Sequence, residues 1–244
     1  QQGLLSIHKT RYSVLFGLVQ MQSPCTRYTA TCQSPSLSHI MLFLINLLSC
    51  TFEQCPEGMV FVSGGSFILG EDPPQFSWQL TGRPYQVAPF CIDRYEFPNQ
   101  EGEYPKNNVT FDEAKALCAQ LGKYLCREPQ WEYACQGAEN WLYSYGSQFV
   151  ESNCHTESTK GDHPFSRSGQ YPKCRSPQGV FDLNGNLSEW VDSTWSQNNT
   201  TRVNWKTLRG GTIESKTHYG QDCTSRHGHH QMNWRNSDDG FRCC

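Results

Sequence analysis

Residues 212–222 contain no cysteine, although the 244-residue chain carries 13. No C-x-x-C pair occurs anywhere, which argues against zinc ribbons. Charge of one sign is not concentrated either: 20 basic residues stand against 23 acidic ones, the formal net charge is -3, and Lys and Arg are scattered. Nucleic acid is therefore excluded as a partner. The one marked apolar run, IMLFLINLLSC at 40–50, has about ten apolar residues and is too short to span a bilayer. No repeat recurs at a spacing of roughly 20 to 50 residues, so solenoids and propellers are excluded.

What is present points to a loop-rich, disulfide-stapled domain. Thirteen cysteines, seven Trp and a hydrophobic fraction of 36% fit an oxidising compartment better than a reduced one. Residues 1–54 read as a poorly ordered N-terminal segment, and the apolar run inside it suits a signal-peptide core. Export to a periplasmic, extracellular or secretory space follows. Leu47-Leu48-Ser49-Cys50 partly matches a lipoprotein cleavage box, so membrane association is expected only if Cys50 is lipidated.

A second region, 55–244, has the texture of a folded domain. Met59 to Val62 and Ser66 to Leu69 flank Gly64-Gly65 and read as a hairpin. Thr110 and Glu113 form a capping box, after which Phe111, Ala114, Leu117, Cys118 and Leu121 recur at helical spacing up to Gly122. A second helix is expected through PQWEYACQG, with Pro129 in its first turn and Gly137 as its stop. Asp238-Asp239 reads as a solvated turn. Asn108, Asn186, Asn198 and Asn199 begin N-x-S/T sequons.

The segments GMVFVSGGSFILG, FCIDRYE, VTFDEAKALCAQLGKYLCREPQWEYACQG, GVFDLNGNLSEWV, RGG and GFRCC resemble, in order, those of the formylglycine-generating enzyme family, the sulfatase-modifying factors. The resemblance covers residues 55–244. It implies an α+β fold of C-type-lectin-like character, with little regular structure, two main helices and a small antiparallel sheet. Two family disulfides carry over to Cys118–Cys243 and Cys135–Cys223. Cys154 and Cys174 are a candidate third pair, while Cys55, Cys91, Cys126 and Cys244 are left unassigned.

In members that oxidise a sulfatase cysteine to formylglycine, two thiolates bind Cu(I). Here Ser215 and Gly220 stand in their places, and copper, a soft ion that prefers thiolates, loses its ligands. Thr212 replaces a family Ser and Ser188 a pocket Trp, whereas Arg226 is kept. The pocket is expected to be relined. The resemblance also implies a calcium site at Asp182, Gly185, Leu187 and Glu189, built of the hard oxygen donors that calcium prefers. A second calcium loop would fall near Asn153 and Cys154, with Asp162 as a further candidate.

Two functions compete. One is an exported, calcium-stabilised binding module without formylglycine-generating activity, taking a protein, peptide or glycan through Tyr219, His227, His229, His230, Trp234 and Arg235. The alternative is a metal-dependent oxidase or oxygenase like the pyoverdine-maturation and ergothioneine-type members, with iron as the candidate metal; separately, His227, His229 and His230 of HGHH, with His218, are candidate ligands for iron, copper or zinc.

Overall fold

The structure is a computed structural model that describes residues 55–71, 74, 80–156, 159, 161, 163–193, 196–197, 200–201, 204–211 and 221–244. Of 196–197, 200–201 and 227–229 only the backbone is described.

Strands β1 (Met59–Val62), β2 (Gly65–Leu69), β3 (Arg83–Val87) and β4 (Phe90–Asp93) come first. The expected hairpin between β1 and β2 does not form. Instead β1 pairs antiparallel with β4, Met59 opposite Asp93, and β2 with β3, Gly65 opposite Val87. Both ladders keep a single register, so β1 and β2 are one arm of a long ribbon and β3 and β4 the other. The glycine pair marks an interruption within an arm rather than its reversal. Gly64 has φ +69°, and a Cβ there would lie 2.3 Å from the Val87 carbonyl oxygen. Opposite, Pro89 has no N–H to give to a ladder.

Helix α1 (Phe111–Gln120) starts where the capping box places it: Thr110 Oγ1 accepts from the Glu113 N–H, and the Thr110 N–H donates to Glu113. It buries Phe111, Ala114 and Cys118. Leu121, expected on that face, is the C-cap residue and is exposed, because the helix has already ended. Helix α2 (Glu128–Gln136) has Pro in its first turn and stops at Gly137.

Strands β5 (Ser188–Val191), β6 (Ser196–Gln197), β7 (Thr200–Thr201), β8 (Trp205–Arg209), β9 (Arg226–Gln231) and β10 (Asp239–Phe241) follow. The main sheet has the order β10-β5-β8-β9, with β10 parallel to β5 and the other pairs antiparallel. Among the described residues, two apolar clusters fill the interior. Trp131 of α2 anchors one, with Val62, Phe67 and Ile92; Trp190 of β5 anchors the other, with Phe111, Leu208 and Phe241.

Among the described residues, five disulfides staple this loop-rich chain: Cys55–Cys91, Cys118–Cys243, Cys126–Cys244, Cys135–Cys223 and Cys154–Cys174. They include the two pairs expected from the resemblance and the candidate third pair, and they place the four cysteines left open. The adjacent Cys243 and Cys244 lock the C-terminus both to α1 and to the segment before α2. Among the described residues, no helix is long and apolar enough to cross a membrane.

Candidate functional site

The segment Phe181 to Trp190 turns sharply and then enters β5. Asp182 and Asn186 both have positive φ, 57° and 59°, and Gly185 lies between them at 76°. A Cβ on Gly185 would sit 2.2 Å from the His155 carbonyl oxygen, so only glycine fits this turn. The Asn186 N–H donates to that same carbonyl at 2.9 Å. The two expected calcium loops are thereby brought side by side.

Within the first loop the side chains are buried and charged. Glu189 accepts from Arg242 through both carboxylate oxygens, at 2.6 and 2.7 Å, and Trp131 Nε1 donates to it at 2.8 Å. Asp182 Oδ2 accepts the Gly169 N–H at 2.8 Å. A third carboxylate, Glu96, follows β4 and is also buried; its Oε2 accepts from Asn186 Nδ2 at 2.7 Å, while Oε1 has no partner. Ser166, whose N–H donates to Asn186 Oδ1, and nearby Ser168 also have unpartnered buried hydroxyls. Burial pushes Asp182 up to about 7. Burial, reinforced by the negative charges of Asp182 and Glu189, pushes Glu96 well above the usual carboxylate range.

Three buried carboxylates thus share one guanidinium, and one oxygen is orphaned. A hard cation answers both deficits, so Asp182, Glu96 and the carbonyls of Gly185 and Leu187 fit calcium by donor type. Glu189 is committed to Arg242 and Trp131. Among the described residues, no group of three or more His, Cys, Asp and Glu side chains stands close enough to hold a metal on its own, so a calcium here would draw on carbonyls. In the second loop, Asn153 lies in a short 3-10 turn, and the Cys154 carbonyl accepts from Thr159 Oγ1 at 2.9 Å. Asp162 is outside the described residues.

The relined-pocket residues divide. Thr212, Ser215 and Gly220 are outside the described residues, as are His218 and Tyr219. Ser188 is fully buried in β5, its hydroxyl unpartnered, opposite Asp239 of β10. Arg226 opens β9 but is buried: Nε donates to Glu128 Oε1 at 2.7 Å and Nη2 to Thr207 Oγ1 at 3.1 Å. Arg209 completes this network, contacting Glu128 at 3.2 Å, Glu132, and the Cys223 carbonyl at 2.8 Å. Desolvation outweighs Arg209 at Glu132 and raises its carboxyl to about 7.

Of the proposed binding residues, Trp234 is 42% exposed and stacks on His230 with ring centroids 4.4 Å apart. Arg235 spans to α1, meeting the Asn108 carbonyl and Glu113, each at 2.6 Å. The side chains of His227 and His229 are outside the described residues. Asp239 is not a solvated turn residue: it is buried in β10, accepts from Trp234 Nε1 at 3.2 Å, and is raised to about 7 by desolvation and by Asp238. The Asn186 sequon is buried with its amide in use, whereas Asn108 is exposed.

Sequence reasoning passed over Glu96, Glu128, Glu132, Arg209 and Arg242. All five lie in the motif segments quoted above: Glu96 ends FCIDRYE, Glu128 and Glu132 lie between Val109 and Gly137, Arg209 opens RGG and Arg242 lies in GFRCC.

The sulfatase-modifying factor enzyme 1-like domain model matches residues 97–244. Inactive C-alpha-formylglycine-generating enzyme 2 of Bos taurus is 29% identical over 155 residues, 58% of this chain and 50% of its own length. Formylglycine-generating enzyme of Mus musculus is 29% identical over 104 residues, 38% of this chain and 28% of its own. The chain thus spans half or less of these curated relatives. Among solved structures, Treponema denticola variable protein 1 superposes with a TM-score of 0.63 at 16% identity, covering 76% of this chain and 93% of its own. The motif order, the two helices with their small sheets, and the match over the C-terminal part agree, and the chain belongs to the sulfatase-modifying factor enzyme 1-like domain family.

Proposed function

We propose that this chain is a formylglycine-generating-enzyme-like domain that lacks the oxidase chemistry and acts as an exported, calcium-stabilised binding module for a protein, peptide or glycan. The observation that carries the reading is the state of its cysteines. From Cys55 onward, all ten are consumed by the five disulfides, and by the family resemblance Ser215 and Gly220 stand where copper-binding members have their two thiolates. A disulfide sulfur is not a thiolate, and Cu(I) is held by thiolates. The other three, Cys25, Cys32 and Cys50, all precede the domain.

Supporting features are independent of one another. The disulfide density suits an oxidising compartment and hence export. The orphaned Glu96 oxygen beside Asp182 suits a structural cation, which would neutralise the cluster and tie β4 to the turn before β5. The exposed Trp234, stacked on His230, offers the aromatic type enriched at binding hot spots.

Incubation of the oxidised protein with a Cys-x-Pro-x-Arg sulfatase peptide, with and without copper, tests the reading by mass spectrometry. The peptide thiol is expected to persist. Time-dependent, copper-dependent conversion to the aldehyde would overturn the non-catalytic assignment.

A further inference from the structure

A cleft of about 360 Å³ opens between Trp141, Tyr145, Asn153, Pro172, Lys173 and Arg175; of the calcium candidates only Asn153 lines it. A disulfide ties together the two segments that line it. Asn153 precedes Cys154, and Lys173 and Arg175 flank Cys174, so the Cys154–Cys174 bond fixes the two walls with Cα atoms 4.8 Å apart. The Cys174 N–H donates to the Tyr171 carbonyl, and the Cys174 carbonyl accepts the Asp182 N–H, each at 2.9 Å. Both cations are exposed while the half-cystine between them is fully buried, which places two positive groups on one rigid stretch of backbone.

The chemistry of the lining is one-sided. Among the described residues, no carboxylate lines the cleft and neither Lys173 nor Arg175 forms a salt bridge. Trp141 Nε1 likewise has no hydrogen-bond partner there. Side-chain acceptors are few: besides the Asn153 amide oxygen there are two hydroxyls, of which Tyr145 Oη already accepts the Val150 N–H at 3.4 Å and Ser176 Oγ the Val180 N–H at 3.3 Å. Such a site favours a ligand rich in acceptors and negative charge, with flat apolar groups for the indole, phenol and proline faces. A sugar would bring as many donors as acceptors and find few acceptors to meet them.

We infer that this cleft is a recognition site for an acidic peptide segment, carrying a carboxylate beside an aromatic or proline residue. Lys173 and Arg175 take the carboxylate, and Trp141, Tyr145 and Pro172 pack the ring. The inference rests on the binding-module reading and gives it a site built from residues other than His230, Trp234 and Arg235.

The test is a titration of the oxidised full chain with a fluorescein-labelled peptide Pro-Glu-Tyr-Glu-Pro, its Pro-Gln-Tyr-Gln-Pro counterpart, and a sulfated disaccharide. Saturable, salt-sensitive binding of the acidic peptide is expected, weakened about tenfold or more by Gln for Glu and by the Lys173→Ala/Arg175→Ala double variant. Both replaced side chains are exposed, and an unchanged melting temperature checks that the variant is folded. Lys106→Ala, which removes an exposed cation outside the cleft, should bind like the unaltered chain. No saturable binding, equal binding by the double variant, or preference for the disaccharide would overturn the inference. No cysteine chemistry takes part, so this test and the sulfatase-peptide assay fail independently.

Discussion

Arg242 holds Glu189 with two parallel charge-assisted hydrogen bonds, Nη2 to Oε1 at 2.6 Å and Nε to Oε2 at 2.7 Å, and both side chains are buried. Arg242 Nη2 also donates to the Phe181 carbonyl at 2.9 Å, and Cys243 beside it is bonded to Cys118 of α1. One guanidinium therefore joins the C-terminal strand, the turn at Asp182 and the start of the sheet. Removing one member of a buried ion pair strands the other charge, at a cost of about 3–5 kcal/mol. Arg242→Ala is expected to lose about that much in denaturant unfolding under oxidising conditions. A loss below about 1 kcal/mol would mean that the pair is solvated and does not organise the site.

Calcium acts, on this account, through Glu96 and Asp182. Thermal melts in calcium and in chelator should differ, with a gain of about 2.7 kcal/mol when calcium is at a hundredfold excess over its dissociation constant. Glu96→Gln should make the chelator form more stable, because a like charge beside Asp182 is gone, and should shrink the calcium-dependent shift. If the variant keeps the full shift, Glu96 is not a ligand.

Much of the fold was legible because it rests on local rules. The Thr110–Glu113 capping box and the stop at Gly122 mark α1 in the sequence, and Pro129 and Gly137 bracket α2, since capping and backbone breaks are decided within a few residues. The ribbon was misread for the opposite reason. Gly64-Gly65 has the composition of a turn, but which strand β1 meets is decided by Phe90–Asp93, some thirty residues on, and by the close approach of Gly64 to Val87. The site was half legible in the same way. Asp182 and Glu189 sit in one contiguous motif, whereas Glu96 reaches them only after β4 folds back. Asp239 looked solvated because its neighbour Asp238 suggested a turn; pairing with Ser188 in β5 buries it.

Asp239 makes the protein's stability depend on pH. Its folded carboxyl titrates at about 7 against an ordinary value of 3.8, with desolvation as the main cause. The folded state therefore binds more protons than the unfolded state between these values, and this group's contribution is fully present below 3.8 and lost as pH rises through about 7. Asp239→Asn should flatten the decline in stability across that window while keeping an oxygen for Trp234 Nε1. An unchanged pH profile in the variant would place the dependence elsewhere, with Glu132 the next group to replace.

Cys135–Cys223 ties α2 to the start of the segment that carries β9, across a sequence separation of 88 residues. The chain-entropy argument gives such a crosslink about 4–5 kcal/mol. Replacing both cysteines with serine should cost at least that, since the buried Asn184 packs against both sulfurs. A melting temperature within a few degrees of the parent would show that the core holds this segment without the bond.

The reading of this chain as non-catalytic stands on its sulfur atoms, and alkylation before reduction, followed by peptide mapping under non-reducing conditions, reads them directly. The account predicts that none of the ten cysteines from Cys55 to Cys244 is alkylated and that the linked peptides are Cys55–Cys91, Cys118–Cys243, Cys126–Cys244, Cys135–Cys223 and Cys154–Cys174. Two alkylated cysteines within the folded domain, together with Cu(I) bound in proportion to them, would contradict it.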